Sequence, residues 1–166
     1  MDAGCGTGYL FRALAEVLGS SGFIAGVDFS EGQLKRARAK ARRIEGPRIQ
    51  LELGRIEEVS ALFPRDSFDA AYCAAVLPVL VDPVKALSEM LQVTKPGGRL
   101  AVWTISHEAL RHARFRFYWN WAIREFDLKY YSQPELTDLF VAAGCEAPSF
   151  ELIGLNLIIR AAKPLP

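Results

Sequence analysis

Apolar positions along the chain alternate between two periods, and the alternation predicts a repeating helix-strand order. From Tyr9, the residues Leu10, Phe11, Leu14, Val17 and Leu18 fall on one helical face, and the run Gly19-Ser20-Ser21-Gly22 stops the helix. Phe23 to Val27 is a short apolar run ending in Asp28, read as a buried parallel strand. Ser30 then opens a helix, with Gln33 placed for a capping box. Its apolar face is Leu34, Ala37, Ala41 and Ile44, and Lys35, Arg36, Arg38, Lys40, Arg42 and Arg43 fill the rest, read as a solvated outer face in preference to a phosphate-binding stripe. Gly46-Pro47 ends it.

Ile49, Leu51 and Leu53 mark a third strand ending at Gly54-Arg55. An irregular or helical piece from Ile56 to Phe63 follows, then a turn at Pro64-Arg65-Asp66-Ser67. A fourth strand runs from Phe68 to Cys73. Asp82-Pro83 starts a helix, Asp as cap and Pro at the first helical position, with Val84, Leu87 and Leu91 on its buried face. Lys95-Pro96-Gly97-Gly98 is a turn into a fifth strand, Arg99 to Ile105. A capped helix from Ser132 to Gly144 precedes two strands, Ser149–Leu152 and Asn156–Arg160, whose short link demands antiparallel pairing. The order calls for one α/β domain over residues 1–166, a mostly parallel sheet, doubly wound, with helices on both sides.

Residues 106–131 break the pattern. Phe115, Phe117, Tyr118, Trp119, Trp121 and Phe126 are interleaved with Arg111, His112, Arg114, Arg116 and Arg124. Phe115, Trp119, Ala122 and Phe126 share one helical face. Three readings stand: a helix using aromatics as core, a lid over a mostly apolar pocket, and a single-stranded nucleic-acid surface.

Composition narrows the classes. A net charge of +1 gives no reason to expect a polyanionic partner. Cys5, Cys73 and Cys145 are far apart, without a CxxC pair, which speaks against a disulfide scaffold or a cysteine metal site and suits a reducing, cytoplasmic setting. No apolar run approaches the roughly 18 residues of a membrane span. The expected partner is a small molecule, without nucleic acid or membrane, in a monomer or homodimer.

The chemistry concentrates in Asp2-Ala3-Gly4-Cys5-Gly6-Thr7-Gly8. Three glycines allow close approach of backbone and ligand, and the next helix aims its positive end at the same place. A dinucleotide loop reads GxGxxG; here the third glycine comes one position early and an acidic residue leads. An acid there suits a ligand carrying an ammonium. Asp28, at the end of the second strand, is placed to accept from both hydroxyls of a ribose.

Together these stretches resemble the class I S-adenosylmethionine-dependent methyltransferases, in particular those acting on small molecules. The resemblance continues through Gly26-Val27-Asp28-Phe29-Ser30, Phe63 to Asp69, Val76-Leu77 to Asp82-Pro83, and Lys95-Pro96-Gly97-Gly98-Arg99-Leu100. It implies a Rossmann-like sheet of seven strands with the last antiparallel, and S-adenosyl-L-methionine as cofactor. It implies that Asp2 holds the cofactor's amino group and that Gly4, Cys5 and Gly6 border its methionine portion. Asp28 would bind the ribose, with Phe29 and Gln33 near the adenine. Arg55 and Ile56 would meet the adenine edge, and Cys73 would line the pocket.

Three departures stand out. Arg55, which has no acceptor, occupies the place of the usual Asp, moving that contact toward Glu57 or the Ile56 backbone. Pro78 stands where many relatives carry a His, leaving His107 and His112 as the only histidines. The first strand is largely missing, so its neighbours are expected to show unpaired edges, and a misplaced start or a fragment is the expected cause. The alternative to methyl transfer is a degenerate domain with weak or no cofactor binding. A nicotinamide reductase and an RNA methyltransferase are disfavoured by the early third glycine and the near-neutral charge.

Overall fold

A computed structural model of the chain describes residues 1–112 and 116–166. Arg114 and Phe115, and the side chains of His112, Trp119 and Ala122, lie outside the described set, so the predicted aromatic face of 106–131 is followed only through its other members. Among the described residues, no helix is long and apolar enough to cross a membrane.

The elements come in the order β1 (Asp2–Ala3), α1 (Phe11–Leu18), β2 (Phe23–Asp28), α2 (Glu31–Ala41), β3 (Arg48–Leu53), α3 (Val59–Leu62), β4 (Phe68–Ala74), α4 (Pro83–Val93), β5 (Thr94–Ile105), α5 (His107–His112), α6 (Arg116–Glu125), α7 (Gln133–Ala142), β6 (Ser149–Ile153) and β7 (Asn156–Ala162). One seven-stranded sheet has the order β3-β2-β1-β4-β5-β7-β6. Pairs from β3 through to β5 are parallel, and β7 is antiparallel to both β5 and β6. This is the doubly wound, Rossmann-like arrangement that the hydropathy pattern and the resemblance imply. Strand order reverses on either side of β1, and such a switch point opens a crevice at the carboxyl ends of the strands.

The local reasons follow the sequence. Asp82 caps α4 by accepting from the Lys85 N–H at 2.9 Å. Ser132 and Glu135 form a reciprocal capping box on α7. The Ser30 hydroxyl accepts from Gln33 N at 3.4 Å, so α2 has one half of the predicted box. Three expectations change. On α1 the buried residues are Phe11 and Ala15, with Leu14 packed beside them, while Val17 and Leu18 face solvent. The Lys95–Gly98 turn lies inside β5, as an excursion between the Phe68–Thr94 and Ala70–Arg99 pairs. Among the described aromatics, Phe117, Tyr118 and Trp121 of α6, and Phe126 just beyond it, are exposed and not core.

β1 is two residues long and sits at the centre of the sheet. Asp2 and Ala3 pair with Gly26 and Val27 on one side and with Tyr72 and Cys73 on the other. Tyr72 N–H also donates to the Met1 carbonyl at 2.8 Å. At the opposite end of the neighbouring strands from the glycine loop, the rings of Phe23 and Phe68 stack with centroids 6.0 Å apart. Phe63 meets Phe68 edge-on at 5.2 Å, and the Arg48 guanidinium covers Phe23 at 4.3 Å. Side-chain stacking thus joins β2 and β4 at that end.

Candidate active site

The glycine loop folds over the carboxyl end of β2. The N–H groups of Gly4 and Cys5 both donate to the Val27 carbonyl, at 2.8 and 2.9 Å. Gly4 has φ +77°, and a Cβ built there would lie 2.5 Å from Val76 Cγ2. Only glycine satisfies both the angle and the contact. Gly6 also has a positive φ, +53°, but a Cβ there would meet open space.

Two cavities meet at Gly4. The first, of about 290 Å³, is walled by Asp28 and Phe29 after β2, by Gly54, Arg55, Ile56 and Glu57 after β3, and by Val76, Val79, Leu80 and Val81 after β4. The second, of about 250 Å³, is walled by Asp2, Cys5, Gly6, Thr7 and Tyr9 of the loop region and by Ala74 and Trp103 at the ends of β4 and β5. Of the residues expected at the site, Asp2, Gly4, Cys5, Gly6, Asp28, Phe29, Arg55 and Ile56 stand on one wall or the other. Cys73 is 2 % exposed and packs in the hydrophobic core; its neighbour Ala74 faces the second cavity instead. Strand alternation sends adjacent residues to opposite faces, which explains the exchange. Gln33 lies on neither wall, and its side-chain oxygen is buried without a hydrogen-bond partner among the described residues.

The two carboxylates are held differently. Asp28 accepts from Gly6 N–H at 2.8 Å through one oxygen and from Ser30 N–H at 2.9 Å through the other. Each oxygen has a further lone pair for a ligand hydroxyl. Asp2 is 2 % exposed, and no donor among the described residues reaches its carboxylate. Burial pushes its pKa up to about 6; the Met1 ammonium opposes this and the Asp28 charge adds to it. A buried acid without a donor is a place for a cation.

Arg55 and Glu57 share the wall of the first cavity, with guanidinium nitrogen and carboxylate oxygen 3.4 Å apart. The carboxylate supplies the acceptor that Arg55 lacks. Pro78 is buried, and its carbonyl accepts from Lys129 N–H at 2.9 Å, tying the segment after α6 to the cavity rim. Ala75, at the end of β4, has φ +56° and donates to the Trp103 carbonyl at 2.9 Å. A strained non-glycine residue between Ala74 and Val76 sets the facing of both cavities' β4 walls. The apolar wall of Val79, Leu80 and Val81, and the Tyr9–Trp103 pair of the second cavity, were not singled out by sequence reasoning. Their signal is position: each follows or ends a strand at the carboxyl edge of the sheet. The basic face of α2 is mainly solvated. Arg38 pairs with Glu31 of its own helix, and Lys40 donates to the Thr7 hydroxyl at 3.0 Å.

These residues fit an adenosyl ligand with an ammonium group. The first cavity offers a carboxylate at one end and an apolar wall for a flat ring. The second offers a buried anion, and Gly4 borders both. A sequence profile described as a methyltransferase domain matches residues 1–136. The chain belongs to this methyltransferase-domain family. It is 35% identical over 128 residues to the demethylmenaquinone methyltransferase of Lysinibacillus sphaericus, an alignment covering 76% of this chain and 53% of that protein. The chain thus spans about half the length of this relative. Among solved structures, a SAM-dependent methyltransferase from Methanosarcina mazei superposes with a TM-score of 0.77 at 21% identity, covering 99% of this chain and 92% of that one. The geranyl diphosphate C-methyltransferase of Streptomyces coelicolor, solved with Mg2+, geranyl diphosphate and S-adenosyl-L-homocysteine, does so with a TM-score of 0.75 at 17% identity, covering 98% and 69%. Both share the fold of this methyltransferase domain.

Proposed function

We propose that this methyltransferase domain binds S-adenosyl-L-methionine and transfers its methyl group to a small molecule with an apolar body. The observation that carries the reading is the pair of cavities joined at Gly4, with Asp28 on the first and buried Asp2 on the second. Asp28 holds the ribose hydroxyls through its free lone pairs. Phe29, Ile56 and Val76 enclose the adenine, with Glu57 as acceptor for its amino group. Asp2 takes the ammonium of the methionine portion, and Gly4 and Gly6 let that portion lie against the backbone.

The bound cofactor supplies a methyl group on a sulfonium, already activated for in-line displacement. The protein's share is therefore to orient the acceptor and to exclude water. Tyr9, Ala74 and Trp103, at the second cavity, are the surfaces an acceptor meets first, and they suit an apolar or aromatic body. The name of the relative, a demethylmenaquinone methyltransferase, supports an acceptor of this kind. His107 lies on the wall of neither cavity.

The test is transfer of label from methyl-tritiated S-adenosylmethionine to a panel of hydroquinones, phenols and small amines. Label on the apolar aromatic acceptors, lost in Trp103→Ala with cofactor binding retained, is the expected result. Cofactor binding with no transfer to any acceptor would favour the degenerate, non-catalytic reading.

A further inference from the structure

α6 and the residue just past it carry a continuous patch of exposed aromatics. Phe117 is 87 % exposed, Phe126 63 %, Tyr118 56 % and Trp121 50 %. The rings touch in sequence: Tyr118 and Trp121 have centroids 5.9 Å apart, and Trp121 meets Phe126 edge-on at 6.1 Å. Phe117, Asn120, Trp121, Arg124 and Glu125 share one shallow groove along the helix. A soluble domain rarely exposes so large a joined apolar surface without a use for it. The segment is net basic. Residues 106–131 hold five arginines and lysines against three acidic residues, Glu108, Glu125 and Asp127, in a chain whose net charge is only +1. Arg111 and Arg124 are exposed, and Arg124 lies in the groove itself.

We propose that α6 docks on the surface of an anionic lipid bilayer. Tyr and Trp are suited to the boundary between headgroups and acyl chains, Phe117 and Phe126 to the layer just beneath it, and the arginines to lipid phosphates. The helix is ten residues long and so lies along the surface rather than across it. The expectation of no membrane partner rested on the lack of a spanning run, which a surface helix does not need. A second feature points the same way. The hydrogen bond from Lys129 to Pro78 ties the segment after α6 to the rim of the first cavity, where Val79 and Val81 are also exposed. An apolar acceptor held in the bilayer would then meet the domain at its site. The patch carries this proposal independently of the cofactor reading.

The experiment is co-sedimentation of the chain with vesicles, in low salt, of phosphatidylcholine alone or mixed with phosphatidylglycerol. The chain is expected to sediment with the mixed vesicles. Binding should fall about tenfold or more in phosphatidylcholine alone and in Arg111→Glu/Arg124→Glu, and Phe117→Ser/Trp121→Ser should abolish it. A thermal melt shows whether each variant is folded; should a double variant unfold, Arg124→Glu at an exposed position makes the same comparison. Wild-type protein left in the supernatant with both vesicles overturns the proposal, as does unchanged binding by folded variants. So does a dimer that Phe117→Ser/Trp121→Ser breaks, or binding of a single-stranded oligonucleotide, in the absence of vesicle binding.

Discussion

Asp2 and Asp28 flank Gly4, and what surrounds each sets what it can do. Asp28 is satisfied by two backbone N–H groups and is ready to accept further hydroxyls. Asp2 is buried, receives no donor among the described residues, and has its pKa raised to about 6, first by burial. This has a consequence for ligand binding with a definite sign. An ammonium ligand binds the ionised carboxylate, so protonation of the free protein competes with it. Affinity for S-adenosylmethionine is therefore expected to be constant above about pH 7 and to weaken as pH falls through 6, approaching tenfold per unit below that. In Asp2→Asn the affinity should be lower and this dependence absent. Equilibrium dialysis from pH 5 to 8 measures it, and a wild-type profile as flat as the variant's would remove Asp2 from contact with the ammonium.

At the scale of elements, β1 sits between β2 and β4 at the centre of the sheet. Two residues supply the pairing that places the glycine loop, while Phe23, Phe63, Phe68 and Arg48 join the neighbouring strands beyond it. Phe68 is 5 % exposed, so Phe68→Ala removes a core ring as well as that junction. A loss of about 3–5 kcal/mol is expected from burial and cavity effects alone. Urea unfolding checks it, and a loss under about 1 kcal/mol would show that the stack does not hold β2 to β4. The helix-strand order was legible in the chain because hydropathy changes period at each element, and caps such as Asp82 and Ser132 behave as their residue types dictate. The bridging of β2 and β4 by aromatic rings was not legible, because Phe23, Phe63 and Phe68 are far apart in sequence and each reads locally as a strand or helix end. The exposure of Phe117, Tyr118, Trp121 and Phe126 was hidden for a related reason: aromatics at helical spacing look the same whether they face a core or solvent.

At the scale of the molecule, the sheet's reversal at β1 brings the ends of β1, β2, β3, β4 and β5 to one edge, and the cavities lie along it. The charged and glycine positions of the site could be read from the sequence, since Asp2, Gly4 and Asp28 fall at loop positions with few alternative uses. The apolar walls could not, because Val79, Val81 and Trp103 differ from core residues only in where the fold puts them. Cys73 shows the limit of carrying a role by position: one step along β4 separates core from cavity. The central claim is that the two cavities joined at Gly4 form one S-adenosylmethionine site. Calorimetric titration of the chain and of Gly4→Val with S-adenosylmethionine tests it most directly. The account predicts saturable binding of one equivalent by the wild-type chain and none by a folded Gly4→Val variant, whose side chain would collide with Val76. A wild-type chain that takes up no cofactor, or a variant that binds as well as wild type, would contradict it.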